Sequence, residues 1–166
     1  MYLDFEHIFT ELTTAGIDFV VVGGVAVNLH GIPRMTYDID LMILFEEENI
    51  TKTIKKLERL GYTPRVPVSS EDLVDEKARE TWIREKNMKA FTFQNPNQAI
   101  AEIDLLIDSC IPYEDIKQRA IMFEIGNTKV PVASIPDLIE LKLGSGRRQD
   151  LSDIEHLRKL LDDQDG

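Results

Sequence analysis

Val21-Val22-Gly23-Gly24 ends one apolar run and Asp38-Ile39-Asp40-Leu41 opens another, with thirteen residues between them. Residues 19–22 are apolar, an aromatic followed by three β-branched valines, which predicts a buried strand, and they run without a linker into the glycine pair. A short helix over 25–29, closed by His30-Gly31, is expected next. From 38 to 45 the side chains alternate, with Ile39, Leu41 and Ile43 on one side and Asp38, Asp40 and Met42 on the other. That is the period-2 signature of a strand, so both aspartates project from the same face. Asp is a poor strand former, and local violations of this kind concentrate at functional sites. Two carboxylates at i and i+2 suit a hard, oxygen-seeking cation such as Mg²⁺. The glycine pair, lacking Cβ atoms between a strand and a helix, lets a phosphate approach backbone N–H groups.

Working outward, the apolar periodicity divides the chain into alternating helical and extended pieces, without repeats or low-complexity segments. A helix over 3–15 carries Phe5, Ile8, Phe9 and Leu12 as its stripe and stops at Gly16. A second covers 47–60, with Ile50, Ile54, Leu57 and Leu60 inward and Gly61 as terminator. Residues 62–68 contain proline and read as irregular, and 70–85 are charged with weak helical character. Strands are expected over 90–94 and 101–107, separated by the Asn95-Pro96-Asn97 turn. After a helix over 113–120, a hairpin joins 122–125 to 128–132 across Gly126-Asn127. Ser134 caps a helix with Pro136 in its first turn, running through Leu138, Leu141 and Leu143 to Gly144. An amphipathic helix over 150–161 and a short acidic tail close the chain. The pattern belongs to an α/β or α+β fold: one domain over 1–166, with a core of about 3–132 and a C-terminal helical segment of about 134–162.

A third carboxylate comes from Asp104, set in the apolar run Ile103-Asp104-Leu105-Leu106-Ile107, where an unpaired charge is costly without a task. Glu102 lies on the same face and is a reserve ligand. Asp18, Asp108 and Asp137, taken singly, read as cap or turn residues. Cys110, the lone cysteine, cannot form an internal disulfide and reads as a small buried hydrophobe. His30 reads as a structural helix-end residue, while Trp82 and Tyr62 read as core or subunit-contact aromatics rather than a base-stacking pair. The net charge of -11 argues against a broad nucleic-acid surface, which needs clustered Lys and Arg. No apolar run approaches the roughly 20 residues of a membrane span, and the N-terminus lacks signal-peptide character. A cytoplasmic protein without membrane contact is expected.

Taken together, the hydrophobic-Gly-Gly turn, the spacer and the Asp38-Ile39-Asp40-Leu41 strand resemble the signature of the nucleotidyltransferase superfamily. Arg34-Met35-Thr36-Tyr37-Asp38-Ile39-Asp40 is similar to the Arg-x-Thr-x-Asp-h-Asp form of small bacterial members, those related to AbiEii proteins and to aminoglycoside or lincosamide nucleotidyltransferases. Asp104 matches the family's third carboxylate. Lys142, then Gly146-Arg147-Arg148-Gln149-Asp150 and Asp153, is similar to its helix-loop-helix with a Lys, a basic turn and Asp-x-x-Asp. Gln149 departs from the basic residue that many relatives carry before that aspartate. The resemblance runs from about residue 3 to 161, leaving 63–87 uncovered.

The resemblance implies a nucleotidyltransferase (DNA polymerase beta-like) fold, a mixed sheet flanked by helices. It implies Asp38, Asp40 and Asp104 as catalytic, Mg²⁺- or Mn²⁺-binding residues, with an NTP such as ATP as substrate and an acceptor hydroxyl on a small molecule, protein or RNA. Gly23 and Gly24 would hold its phosphates. Arg34 and Lys142 would neutralise phosphate or pair with aspartates, and Arg147 and Arg148 read as surface helix-end charges. In another class stands a non-catalytic component of a toxin-antitoxin or phage-defence pair, acting through a partner protein; a homodimer is the other association weighed. A haloacid-dehalogenase-type phosphohydrolase also begins from Asp-x-Asp, but Met42 stands where Thr or Val is expected. An EF-hand is excluded by apolar residues at ligand positions.

Overall fold

A computed structural model of the chain describes residues 2–143 and 148–165, with the side chains of 2–4, 148, 149 and 165 left aside. Helix α1 (Tyr2–Thr14) buries Ile8, Phe9 and Leu12 and ends at Gly16, whose φ of +72° is the left-handed turn anticipated there. Strand β1 (Phe19–Val22) is buried at every position, as a strand must be when both faces and both edges are covered. It leads directly into α2 (Gly23–Leu29), so the glycine pair is the first turn of the helix rather than a spacer before it. In β2 (Asp38–Ile43) Ile39, Leu41 and Ile43 are buried, while Asp38 and Asp40 are only half-buried on the opposite face. This strand stops two residues earlier than the alternation suggests. Asn49, inside α3 (Glu47–Arg59), explains the stop by hydrogen-bonding the backbone of Asp18 and Leu44 through its amide and so turning the chain.

Residues 62–68 are not wholly irregular. Thr63–Pro64 forms a short strand, β3, pairing antiparallel with β4 (Ala90–Gln94). Proline is tolerated there because β3 lies at the sheet edge, where one row of N–H groups has no ladder to serve. A 3₁₀ turn over Ser70–Val74 and helix α4 (Glu76–Lys86) follow, with Asp75 capping α4 through the Lys77 N–H. Next come β5 (Glu102–Leu106), α5 (Tyr113–Arg119), the hairpin β6 (Ile121–Ile125) and β7 (Thr128–Val132), α6 (Ile135–Leu143) and α7 (Arg148–Asp165). Ser134 accepts from the Asp137 N–H at 3.3 Å, the cap read from the sequence.

The seven strands form one mixed sheet in the order β3-β4-β5-β2-β1-β7-β6. β2 pairs antiparallel with β1 and parallel with β5; β1 pairs parallel with β7. With helices around it, this is the mixed sheet of the expected α+β class. Its core runs from Phe9 and Phe19 through Val20, Leu41 and Leu105 to Phe91, Phe93 and Trp82, and Trp82 lies 5.5 Å from Phe91 between ring centroids. Tyr62 is buried and donates its hydroxyl to the Ile100 carbonyl at 2.6 Å. Among the apolar assignments Cys110 fails, being exposed, as does Leu143 at the end of α6. Cys110 falls in the loop beyond β5, where Ser109 rather than the core fixes the chain by bonding Ile111. Among the described residues, no helix is long and apolar enough to cross a membrane. Gly144, Gly146 and Arg147, and the side chains of Arg148 and Gln149, lie outside what is described.

Candidate active site

The site is assembled by strand register. Asp40 on β2 stands opposite Asp104 on β5, and Asp104 stands opposite Thr92 on β4. One residue pair toward the strand starts, Asp38 faces Glu102, which faces Gln94. Because facing residues in neighbouring strands share a face, the two aspartates of β2 and the one of β5 occupy one side of the sheet. The apolar alternates Ile39, Leu41, Ile103 and Leu105 fill the other, all fully buried.

Val22 pairs with Asp40, so the glycine bend at the end of β1 arrives beside that carboxylate. Gly23 has a φ of +68°, and a Cβ added there would collide with the Asp40 side chain. Only glycine satisfies both demands. At Gly24, an added Cβ would sit 3.1 Å from Thr36 Oγ1 and 3.5 Å from Arg34 Cζ, so the loop before β2 closes over the bend. Thr36 donates to the Asp38 carbonyl at 3.2 Å and the Arg34 N–H donates to Asn28 Oδ1 at 3.0 Å, which fixes that loop.

Burial raises Asp40 to about 7, and the negative charge of Asp104, a hydrogen bond shared with it, and Asp38 push the same way. Lys142 pulls in the opposite direction. Asp38 is also raised, first by burial and then by Glu102 and Asp104, with Arg65 opposing. Asp104 accepts from the Thr92 hydroxyl at 2.5 Å. Like charges therefore accumulate here without enough cation to balance them. Among the described residues, no three His, Cys, Asp or Glu side chains stand as a ready-made cation cage. Asp40 and Asp104 instead face one another across β2 and β5. The donors are all carboxylate oxygens, which fits Mg²⁺ or Mn²⁺ and not a softer metal.

Arg34 and Lys142 both come to this region, but each is paired with an aspartate outside the trio. Lys142 is buried in α6 and reaches Asp150 at 3.1 Å and Asp153 at 3.0 Å, both on α7. Arg34 pairs with the same Asp153, while its Nε is buried without a hydrogen-bond partner among the described residues. A cavity of about 150 Å³ opens between these groups, bounded by Gly23, Asp40, Lys142 and Asp150 and walled by Val22, Leu106, Leu138 and Leu141.

His30 donates its Nε2–H to the Ala133 carbonyl at 2.8 Å and packs edge-on against Phe123, the structural role expected of it. Asp137, expected as a cap or turn residue, instead takes a bidentate pair from Arg119. Thr92 and Arg65 were not singled out from the sequence. Thr92 carried a usable signal, its place between Ala90 and Gln94 on the polar side of an alternating strand. Arg65 carried none, since its position depends on the two-residue edge strand before it.

A family model described as "Nucleotidyl transferase AbiEii toxin, Type IV TA system" matches residues 9–165. No curated protein sequence matches the chain. Among solved structures, a lincomycin-bound lincosamide antibiotic adenylyltransferase is similar, with a TM-score of 0.64 and 17% identity over 96% of this chain and 98% of that one. ANT(2″)-Ia, solved with adenylyl-2″-tobramycin, gives 0.60 and 14% over 96% and 88%. An antigenic nucleotidyltransferase-like protein from Paracoccidioides brasiliensis gives 0.50 and 20% over 92% and 71%. At these identities the likeness establishes the fold.

Proposed function

Since the chain belongs to the AbiEii nucleotidyl transferase family, we propose that it moves a nucleoside monophosphate from an NTP, ATP among the candidates, to an acceptor hydroxyl. The observation that carries this reading is the in-register Asp40–Asp104 pair lying against the Gly23 bend, with Asp38 beside it. Asp38 and Asp40 would hold one divalent cation and Asp104 a second, the cations offsetting the crowding of like charge that raises Asp40. When bound, the cations neutralise the triphosphate and the charge that develops during in-line displacement.

The chain's own groups do the rest. The Gly23-Gly24 bend admits the β- and γ-phosphates to its backbone N–H groups. Lys142 and Arg34 face the leaving pyrophosphate, giving up part of their pairing with Asp150 and Asp153. Asp104, oriented by Thr92, receives the proton of the attacking hydroxyl. The acceptor oxygen bonds to the α-phosphorus as the bond to the pyrophosphate oxygen breaks.

The test is incubation with labelled NTPs, Mg²⁺ and a panel of hydroxyl acceptors, comparing the wild type with Asp38→Ala, Asp40→Ala and Asp104→Ala. Transfer by the wild type and background levels in all three variants, each still unfolding cooperatively, is expected. Equal signals from all four proteins refute the catalytic assignment. The family's description as a toxin of a toxin-antitoxin system favours one second reading, a component that acts by binding a partner protein. That reading predicts no transfer and no stabilisation by nucleotide.

A further inference from the structure

Of the three aspartates, Asp104 is the one that faces a neutral donor across the sheet. Asp38 stands opposite Glu102 and Asp40 stands between Val22 and Asp104, whereas Asp104 stands between Asp40 and Thr92. The ladder between β4 and β5 closes through the Asn95 N–H on the Ala101 carbonyl at one end and the Ile107 N–H on the Lys89 carbonyl at the other. Counting inward from either end makes Thr92 and Asp104 a non-hydrogen-bonded pair, the kind in which facing Cα atoms approach to about 4.5 Å and side chains stand closest. In agreement, the Thr92 carbonyl turns the other way and accepts from the Arg65 N–H at 2.9 Å. The buried Thr92 hydroxyl is thereby set on Asp104 Oδ1 at 2.5 Å, a charge-assisted contact.

The backbone that carries this hydroxyl is braced from behind. Its chain neighbours Phe91 and Phe93 are fully buried on the other face, with ring centroids 5.3 Å apart, and Trp82 of α4 lies against Phe91. A β-branched side chain on a packed strand has little χ1 freedom, so the hydroxyl stays on its carboxylate. With Oδ1 anchored, rotation about the Cβ–Cγ bond of Asp104 is fixed, and the direction of the other oxygen with it. Helix α4 belongs to the stretch that the sequence resemblance leaves uncovered, and bracing β4 ties it to the site.

We infer that Thr92 is a positioning residue for the second cation: its hydroxyl aims Asp104 so that the second site forms, while the Asp38–Asp40 site forms without it. This deepens the transferase reading above and rests on it. A threonine whose buried hydroxyl only needed an acceptor would use Asp104 in the same way, but cation binding would then be indifferent to it. Valine separates the two cases, because it shares threonine's branched shape and strand preference and lacks the hydroxyl.

Mn²⁺ uptake, followed by loss of the free-ion electron paramagnetic resonance signal in the presence of a non-hydrolysable ATP analogue, measures both sites. The wild type is expected to take up one ion at each. Thr92→Val is expected to keep the first ion at wild-type affinity and to bind the second about tenfold or more weakly, as loss of one charge-assisted hydrogen bond would. Thr92→Ser is expected to behave as the wild type, and Thr92→Ala repeats the comparison without valine's extra methyl. Adding Thr92→Val to Asp104→Asn is expected to change nothing further, since the hydroxyl acts only through that carboxylate. A second ion held at wild-type affinity by the valine and alanine variants, equal weakening of both ions, or a serine variant as weak as valine overturns the inference. So does a wild type that binds the analogue with one ion, which leaves nucleotide transfer standing. A wild type that binds neither Mn²⁺ nor the analogue refutes the transferase reading itself, and this inference with it.

Discussion

Asp40 concentrates the conflict of this site in one side chain. It is packed against a glycine that has no alternative, set beside a second carboxylate, and raised to about 7 by burial first and by Asp104 next. A carboxylate whose folded pKa lies above its ordinary 3.8 binds more protons folded than unfolded. Its stabilising contribution is therefore full below about pH 3.8 and is lost as pH rises through about 7. In chelator-containing buffer, the wild type is expected to lose stability relative to Asp40→Asn across that window, by on the order of a few kcal/mol. Urea denaturation of both proteins at several pH values measures it. Parallel stability profiles would show that Asp40 is already ionised and balanced by something else.

At the scale of elements, buried charge ties α6 to α7 and α7 to the loop before β2. Lys142 of α6 holds two aspartates of α7, and Asp153 also holds Arg34 from the loop before β2. Replacing Lys142 with Met leaves Asp150 and Asp153 buried without their shared cation, and breaking such a network from one side costs roughly 3–5 kcal/mol. A loss of that size in unfolding free energy, read as a lower urea midpoint at an unchanged m-value, is expected for Lys142→Met. A change under about 1 kcal/mol would mean that α7 docks through its apolar face alone. Here the limits of sequence reading are physical. β1 and β2 were legible because an apolar run and a strict alternation are local signals, and the sharing of one face by Asp38 and Asp40 follows from alternation alone. Nothing local announces that Arg34 meets a residue 119 positions away, or that Thr63–Pro64 would pair at an edge despite its proline. Arg65 stayed invisible for the same reason, and Cys110 was misjudged because burial is decided by where β5 ends.

The whole molecule carries 30 acidic against 19 basic residues, so a free triphosphate approaches a chain of its own sign. The groups that would welcome it are few, and Lys142 and Arg34 are already engaged. The proposed transfer therefore requires cation to bind before or together with nucleotide, because only then would the carboxylate face stop repelling phosphate. Stability reports this order without any knowledge of the acceptor, since a ligand that binds only the folded state raises it by about 2.7 kcal/mol at a hundredfold excess over Kd. For a chain of this size that corresponds to a rise in Tm of roughly 5–10 °C. Thermal unfolding is thus expected to shift upward with ATP and Mg²⁺ together, and not with ATP and a chelator. Asp40→Asn should abolish the shift, having lost a ligand while keeping the fold. If ATP alone stabilised the wild type as strongly as ATP with Mg²⁺, the phosphates would be held by the glycine bend and basic side chains without help. The three carboxylates would then need a different explanation.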